Sequence, residues 1–216
     1  MEYAIFDFDG TLVDSMQFWR FLGRYYLEDR GIEADEESIR VAEENGFSYT
    51  AEFYKNKYGF PETTDEIAEG IKKCLRAGYK SFSLKPGVMF FLKLLKERGV
   101  KMCIATGTDK AMAEETAERL GIRDYFEFVI SCDEVGAWKN NPLVFEKALD
   151  RLGGNKENTL VFEDSPEAVR TATGAGFKTV GIADDFSSSR ADEIKKLSAF
   201  YTYDYEKDAE KIINII

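Results

Sequence analysis

The chain contains no histidine. That excludes Ser-His and Cys-His catalytic pairs, histidine general bases and histidine-held zinc. Carboxylates, Lys, Thr, Ser, Cys and Tyr remain as the available chemistry. Cysteine is scarce as well. Cys74, Cys103 and Cys132 are odd in number and form no CxxC, which fits free thiols in a reducing compartment. Positive charge is in short supply: 29 Lys and Arg stand against 40 Asp and Glu, for a formal net charge of -11. Neither nucleic acid nor a membrane is an expected partner for so acidic a chain. A phosphorylated ligand would also be repelled unless a local divalent cation reversed the field. No apolar run approaches the roughly 20 residues of a membrane span. The start, Met1-Glu2-Tyr3-Ala4-Ile5-Phe6-Asp7, lacks the basic and apolar segments of a signal peptide. The expected location is cytoplasmic.

What is present is enough to fold. The 216 residues are 44% hydrophobic, sufficient for one large domain, or for a domain with a small insert. Short β-like runs are read at 2–7, 100–105, 126–131, 159–162 and 179–183, with a further one near 200–203. Helical patterns alternate with them at 88–98, 110–120, 142–152 and 166–175, and a last helix is read from Lys207. Gly99, Gly121, Gly153 and Gly176 follow the alternating helices as stop signals. This rhythm predicts an α/β fold, a doubly wound parallel sheet covered on both faces. Residues 15–81 break the rhythm with helical stretches near 16–30, 35–45, 48–58 and 64–80. The expected division is a core of 1–14 and 82–216 and an all-α insert of 15–81.

Four signals sit at or just beyond inferred strand ends, where ligands bind in open parallel sheets. The first is Asp7-Phe8-Asp9-Gly10-Thr11, two carboxylates on an apolar strand that turns at Gly10. An acidic turn alone would be equally ordinary. The second is Thr106, followed by Gly107-Thr108-Asp109 and a helix; a hydroxyl and bare amides there can hold phosphate oxygens, or Thr108 or Asp109 can simply cap the helix. The third is Lys139, within Ala137-Trp138-Lys139-Asn140-Asn141-Pro142; most lysines are merely solvated. The fourth is Glu163-Asp164-Ser165, a carboxylate pair that is costly to bury without a cation or hydrogen bonds, although Asp164 or Ser165 also suits a helix cap. Converging at one sheet edge, the four signals form a set suited to Mg²⁺ and phosphate.

In this order the four resemble the motifs of the haloacid dehalogenase superfamily, over nearly the whole chain. The helical insert resembles the cap of the subgroup that includes phosphoglycolate phosphatase-like enzymes and β-phosphoglucomutase. The resemblance implies a Rossmann-like core with a cap, and a Mg²⁺-dependent phosphatase for a small phosphorylated metabolite. It implies Asp7 as nucleophile, forming an aspartyl-phosphate, and Asp9 as acid and base. Mg²⁺ would be held by Asp7, the Asp9 carbonyl and Asp164, with Glu163 nearby. Thr106 and the Gly107 amide would hold phosphoryl oxygens, and Lys139 would offset charge.

Relatives often carry Ser or Asn where Gly107 stands, and Pro where Asn140 stands. Asp9 argues against dehalogenation. The mutases typically carry a cap histidine where Trp19 stands and an aliphatic residue where Thr11 stands, so hydrolysis is favoured over the alternative, a sugar phosphomutase. Phosphonatase-like relatives use a cap lysine; Lys55 and Lys57 are expected to form a solvated face. The cap stretch Glu44-Asn45-Gly46-Phe47-Ser48-Tyr49 is expected to be a loop that reads the substrate, with Phe47 and Tyr49 as binding residues or cap packing. Receiver-type signalling or non-catalytic binding of a phosphorylated ligand are the alternatives of another class. A monomer is expected, with a dimer as the alternative.

Overall fold

The computed structural model describes residues 1–215, and the chain divides into two compact units, Met1–Asp14 with Ser83 onward, and Ser15–Phe82. In the first, six parallel strands form one sheet: β1 (Tyr3–Phe6), β2 (Lys101–Thr106), β3 (Val129–Ser131), β4 (Thr159–Glu163), β5 (Lys178–Ile182) and β6 (Phe200–Thr202). Their spatial order is β3-β2-β1-β4-β5-β6. The sheet grows outward in both directions from the β1–β4 pair, which makes the carboxyl end of β1 a topological switch point. β1 is buried on both faces, and its register sets Phe6 opposite Ile104 on one side and Phe162 on the other.

Alternation along the strands separates two cores. Ile5, Cys103, Ala105 and Val161 face Val144, Phe145, Ala148, Ala168 and Ala172, which come from the helices Leu143–Leu152 and Pro166–Gly174. On the opposite face Phe6 stacks on Phe162 at 4.2 Å between ring centres. Phe91, from the helix Val88–Glu97, and Tyr205, from the helix Tyr205–Ile213, close over that pair; their rings lie 5.3 Å apart. Helices Lys110–Arg119, Cys132–Val135 and Ala191–Leu197 complete this unit. The short helix at 132 and the helix at 191 lie outside the sequence expectation, and the last helix begins at Tyr205 rather than Lys207. Ser187, in the loop after β5, is buried, and its hydroxyl donates to the Asp184 carbonyl at 3.4 Å.

The second unit is helical throughout its regular structure: α1 (Met16–Glu28), α2 (Glu36–Glu44), α3 (Phe47–Tyr58) and α4 (Thr64–Gly78). Asp35 caps α2 and Thr63 closes a capping box with Glu66 at the start of α4. Leu22, Tyr26, Leu27, Tyr54, Ile67 and Ile71 form its interior. α1 and α2 approach closely at Gly23, where an added Cβ would lie 2.5 Å from the Ala42 Cβ and 2.3 Å from the Tyr54 hydroxyl. Phe47 and Tyr49 are in the first turn of α3, not in a loop, so only Asn45 and Gly46 link α2 to α3. The Phe47 ring stacks on Trp19, 6.3 Å between centres, which explains why the helix starts at the aromatic. Tyr49 is exposed. Lys57 is not simply solvated: it pairs with Asp35 at 2.6 Å and Glu37 at 2.8 Å, while Lys55 donates to the Phe60 and Glu62 carbonyls. Cys74, Cys103 and Cys132 are free thiols, and no helix among the described residues is long and apolar enough to cross a membrane.

Candidate active site

β1 delivers Asp7 one residue beyond its last paired position, and the Asp7 amide still donates to the Phe162 carbonyl at 3.0 Å. The chain then turns. Gly10 adopts φ 75°, a left-handed conformation that a Cβ would strain, and its amide donates to the Val13 carbonyl at 2.8 Å. The turn is supported from below by Tyr205, whose hydroxyl donates to the Thr11 carbonyl at 3.2 Å. It carries Asp9 toward the end of β2, where Thr108 donates its hydroxyl to Asp9 Oδ2 at 2.7 Å.

The loop after β2 assigns its two capping candidates. Asp109 caps the following helix through Met112, so Thr108 is left to hold Asp9. Thr106, buried, accepts from the Thr108 amide at 2.9 Å, which folds the loop back over the strand end. Gly107 is overlain by Trp138. A Cβ at Gly107 would lie 3.2 Å from the indole Cζ3, tighter than ordinary contact, so the smallest residue suits the position where relatives often carry a side chain.

At the end of β4 Glu163 is fully buried and Asp164 nearly so. Ser165 caps the next helix, with Pro166 at its start, which leaves Asp164 available to the site. Thr11 donates its hydroxyl to Asp164 Oδ1 at 3.2 Å. Lys139 reaches in from the loop after β3, and its ammonium pairs with Asp7 Oδ1 and Glu163 Oε1. Carboxylate oxygens of Asp7, Glu163 and Asp164 all lie within 4.8 Å of one another.

Three buried carboxylates and one ammonium leave a deficit of positive charge. Burial pushes the Asp7 carboxyl up to about 7 against the pull of Lys139, with Glu163 and Asp9 pushing further. Burial likewise raises Asp164 well above the usual carboxylate range, reinforced by Asp7, Glu163 and Asp184. Burial opposes the Lys139 charge, yet Asp7 and Glu163 outweigh it and raise the ammonium above its ordinary value. A hard dication with oxygen ligands fits such a donor set.

Asp7, Asp9, Thr106, Gly107, Lys139, Glu163 and Asp164 therefore gather at the carboxyl edge of four adjacent strands, β3-β2-β1-β4. Phe47 and Tyr49 belong to the helical unit. Three contributors were not singled out in the sequence for the parts they take: Thr108, Thr11 as the Asp164 partner, and Asp184, which follows β5 and pairs with Lys85 at 2.7 Å. A polar residue just past a strand end was the available signal for each.

Residues 1–176 match the haloacid dehalogenase-like hydrolase family. A phosphorylated carbohydrates phosphatase of Thermotoga maritima is 30% identical over 208 residues, covering 88% of this chain and 89% of that protein. A phosphoglycolate phosphatase of Rhodospirillum rubrum is 27% identical over 206 residues, covering 91% and 86%. Among solved structures, CbbY from Rhodobacter sphaeroides in complex with phosphate superposes with a TM-score of 0.77 at 21% identity over 96% of both chains. β-Phosphoglucomutase from Clostridium difficile gives 0.76 at 20% identity over 100% of this chain and 96% of that one. The solved structures share the fold. The family match and the 30% identical relative carry the assignment: the chain is an enzyme of the haloacid dehalogenase-like hydrolases.

Proposed function

We propose that this hydrolase is a Mg²⁺-dependent phosphatase of small phosphorylated metabolites, working through an aspartyl-phosphate on Asp7. The observation that carries it is the cluster of Asp7, Glu163 and Asp164 bridged by Lys139, one ammonium among three buried carboxylates. Its relatives' names point the same way: they act on phosphorylated carbohydrates and phosphoglycolate.

Asp7, Asp164 and Asp9 through its carbonyl would hold Mg²⁺, with Glu163 beside them. When bound, the ion supplies positive charge that lets a carboxylate approach a phosphate dianion. Thr106 and the Gly107 amide bind phosphoryl oxygens, and Lys139 keeps the Asp7 carboxylate oriented while offsetting charge. An Asp7 carboxylate oxygen attacks phosphorus, the bond from phosphorus to the leaving oxygen breaks, and Asp9 gives that oxygen its proton. Asp9, now a carboxylate, takes a proton from the water that attacks the phosphoryl group. The Asp7–phosphorus bond breaks, releasing inorganic phosphate and restoring both residues.

Hydrolysis is preferred to phosphomutation on a local ground. Trp19 stands where the mutases typically carry histidine; its indole N–H donates to the Tyr79 hydroxyl at 3.3 Å, and the side chain offers no acid or base. The test is release of phosphate from a panel of phosphorylated metabolites with and without Mg²⁺, with Asp7→Asn as the blank. The expected result is Mg²⁺-dependent turnover that Asp7→Asn abolishes. Turnover that survives in Asp7→Asn would refute the nucleophile.

A further inference from the structure

Trp138 is anomalous in this setting. It immediately precedes Lys139, yet 63% of it is exposed. The edge of its indole lies over Gly107, at the distance where a Cβ on that residue would already be crowded. Its carbonyl accepts from the Asn141 amide at 2.9 Å, a turn that Pro142 then closes into the next helix. The backbone turn places Trp138 next to Lys139, and one edge of its ring lies over the loop that presents Thr106 and Gly107. A tryptophan this exposed gains little from burial, but it offers a large flat apolar face beside the phosphoryl-binding amide. Phe145, the other aromatic near Lys139, is fully buried in the core and offers none.

We infer that Trp138 is a specificity-determining wall for the leaving group: it selects phosphate esters whose alcohol carries a ring with a flat face, a sugar or an arene, over acyclic esters. This rests on the phosphatase reading above and names the substrate class of the same site. A ring attached through the ester oxygen to a phosphoryl group held by Thr106, Gly107 and Lys139 lies within a few ångströms of the indole. An acyclic alcohol has no face to stack. The interaction is made in the bound ester before bond cleavage, so it acts on KM rather than on kcat.

The test compares wild type, Trp138→Ala and Trp138→Phe with Mg²⁺ on glucose 6-phosphate and p-nitrophenyl phosphate, and on the acyclic phosphoglycolate and glycerol 3-phosphate. Trp138→Ala is expected to raise KM for one or both ring esters by about three- to tenfold, to leave the acyclic esters within about twofold, and to spare kcat; Trp138→Phe restores most of the loss. Which ring ester responds tells sugar from arene. In parallel, Trp138 fluorescence is titrated in a Trp19→Phe background, where it is the only tryptophan. Quenching at lower concentrations of a ring ester than of phosphoglycolate is expected. Equal changes in KM for all four esters, no change in any, or fluorescence indifferent to the ring, overturn the inference. Wild type that quenches selectively but releases no phosphate from any ester removes the phosphatase reading and the leaving-group role with it, and leaves only ring recognition by Trp138.

Discussion

Thr108 donates its hydroxyl to Asp9 Oδ2 at 2.7 Å across 99 positions of sequence. The bond fixes which carboxylate oxygen of Asp9 is engaged and ties the turn after β1 to the loop after β2. Because Asp109 caps the helix that follows, Thr108 can be changed without removing the cap. Thr108→Val keeps the shape and deletes the bond. A hydrogen bond to a charged group carries roughly 1.5–3 kcal/mol, so kcat is expected to fall about 10- to 100-fold with KM little altered, and Thr108→Ser to retain most activity. Steady-state kinetics with a thermal melt on each variant decide it; a kcat within twofold of wild type in Thr108→Val would remove Thr108 from the mechanism.

The raised Asp7 carboxyl gives Mg²⁺ binding a pH dependence of definite sign. In the metal-free protein burial pushes the Asp7 carboxyl up to about 7, whereas in the unfolded chain it returns to the ordinary carboxylate value of 3.8. The folded state binds more protons in that window, so this group makes the metal-free protein lose stability as pH rises from about 4 toward 7. A cation must displace the proton to use the carboxylate. Mg²⁺ affinity is thus expected to rise as pH increases through about 7 and then level off, and the thermal stabilisation by Mg²⁺ to be larger at pH 8 than at pH 6. Calorimetric titrations at those two values test it, and affinity that is flat or falls with pH contradicts the assignment of Asp7 as a ligand.

Lys139 is the counterweight of the site. Removing one partner of a buried ion pair costs about 3–5 kcal/mol because the other charge is left uncompensated, and here two carboxylates, Asp7 and Glu163, would be left. Lys139→Met is expected to melt at lower temperature without metal, to regain more stability from Mg²⁺ than wild type does, and to lose turnover by about a hundredfold or more. Melts with and without Mg²⁺ read the first two effects. An Mg²⁺-induced shift no larger than that of wild type would show that the ion and the ammonium do not share these carboxylates.

Much of the fold was legible because the sequence punctuates itself. Gly99, Gly121, Gly153 and Gly176 are read as stops, and all four adopt left-handed conformations next to helix ends. Asp7, Thr106 and Glu163 were legible as polar residues ending apolar strands. The helix Cys132–Val135 escaped because four residues are too few to show a period. Phe47 and Tyr49 were read into a loop because Gly46 reads as one, while the Phe47–Trp19 stack joins positions distant in sequence. The parts of Thr11, Thr108 and Asp184 were missed for a related reason: each acts through one tertiary bond whose partner lies about a hundred positions away or more, and a polar residue past a strand end does not by itself name that partner.

The Lys85–Asp184 pair is the easiest of these bonds to isolate. Both side chains are nearly buried, at 11% and 4% exposure, and Nζ lies 2.7 Å from Oδ2. Asp184 also accepts from the Phe186 amide at 2.9 Å through its other oxygen. Lys85 is fixed by its own amide, which donates to the Leu12 carbonyl at 2.9 Å, so the pair fastens the segment before the helix Val88–Glu97 to the loop after β5. Lys85→Met strands a buried carboxylate that still keeps its amide partner, and an expected cost of about 3 kcal/mol follows. Lys85→Met combined with Asp184→Leu removes both charges and should recover most of that loss, giving a coupling of about 2 kcal/mol in a double-mutant cycle. Urea unfolding of the four proteins measures it. Strictly additive costs would mean that the two charges do not sense each other, and that the other bonds of the loop after β5 hold it without this pair.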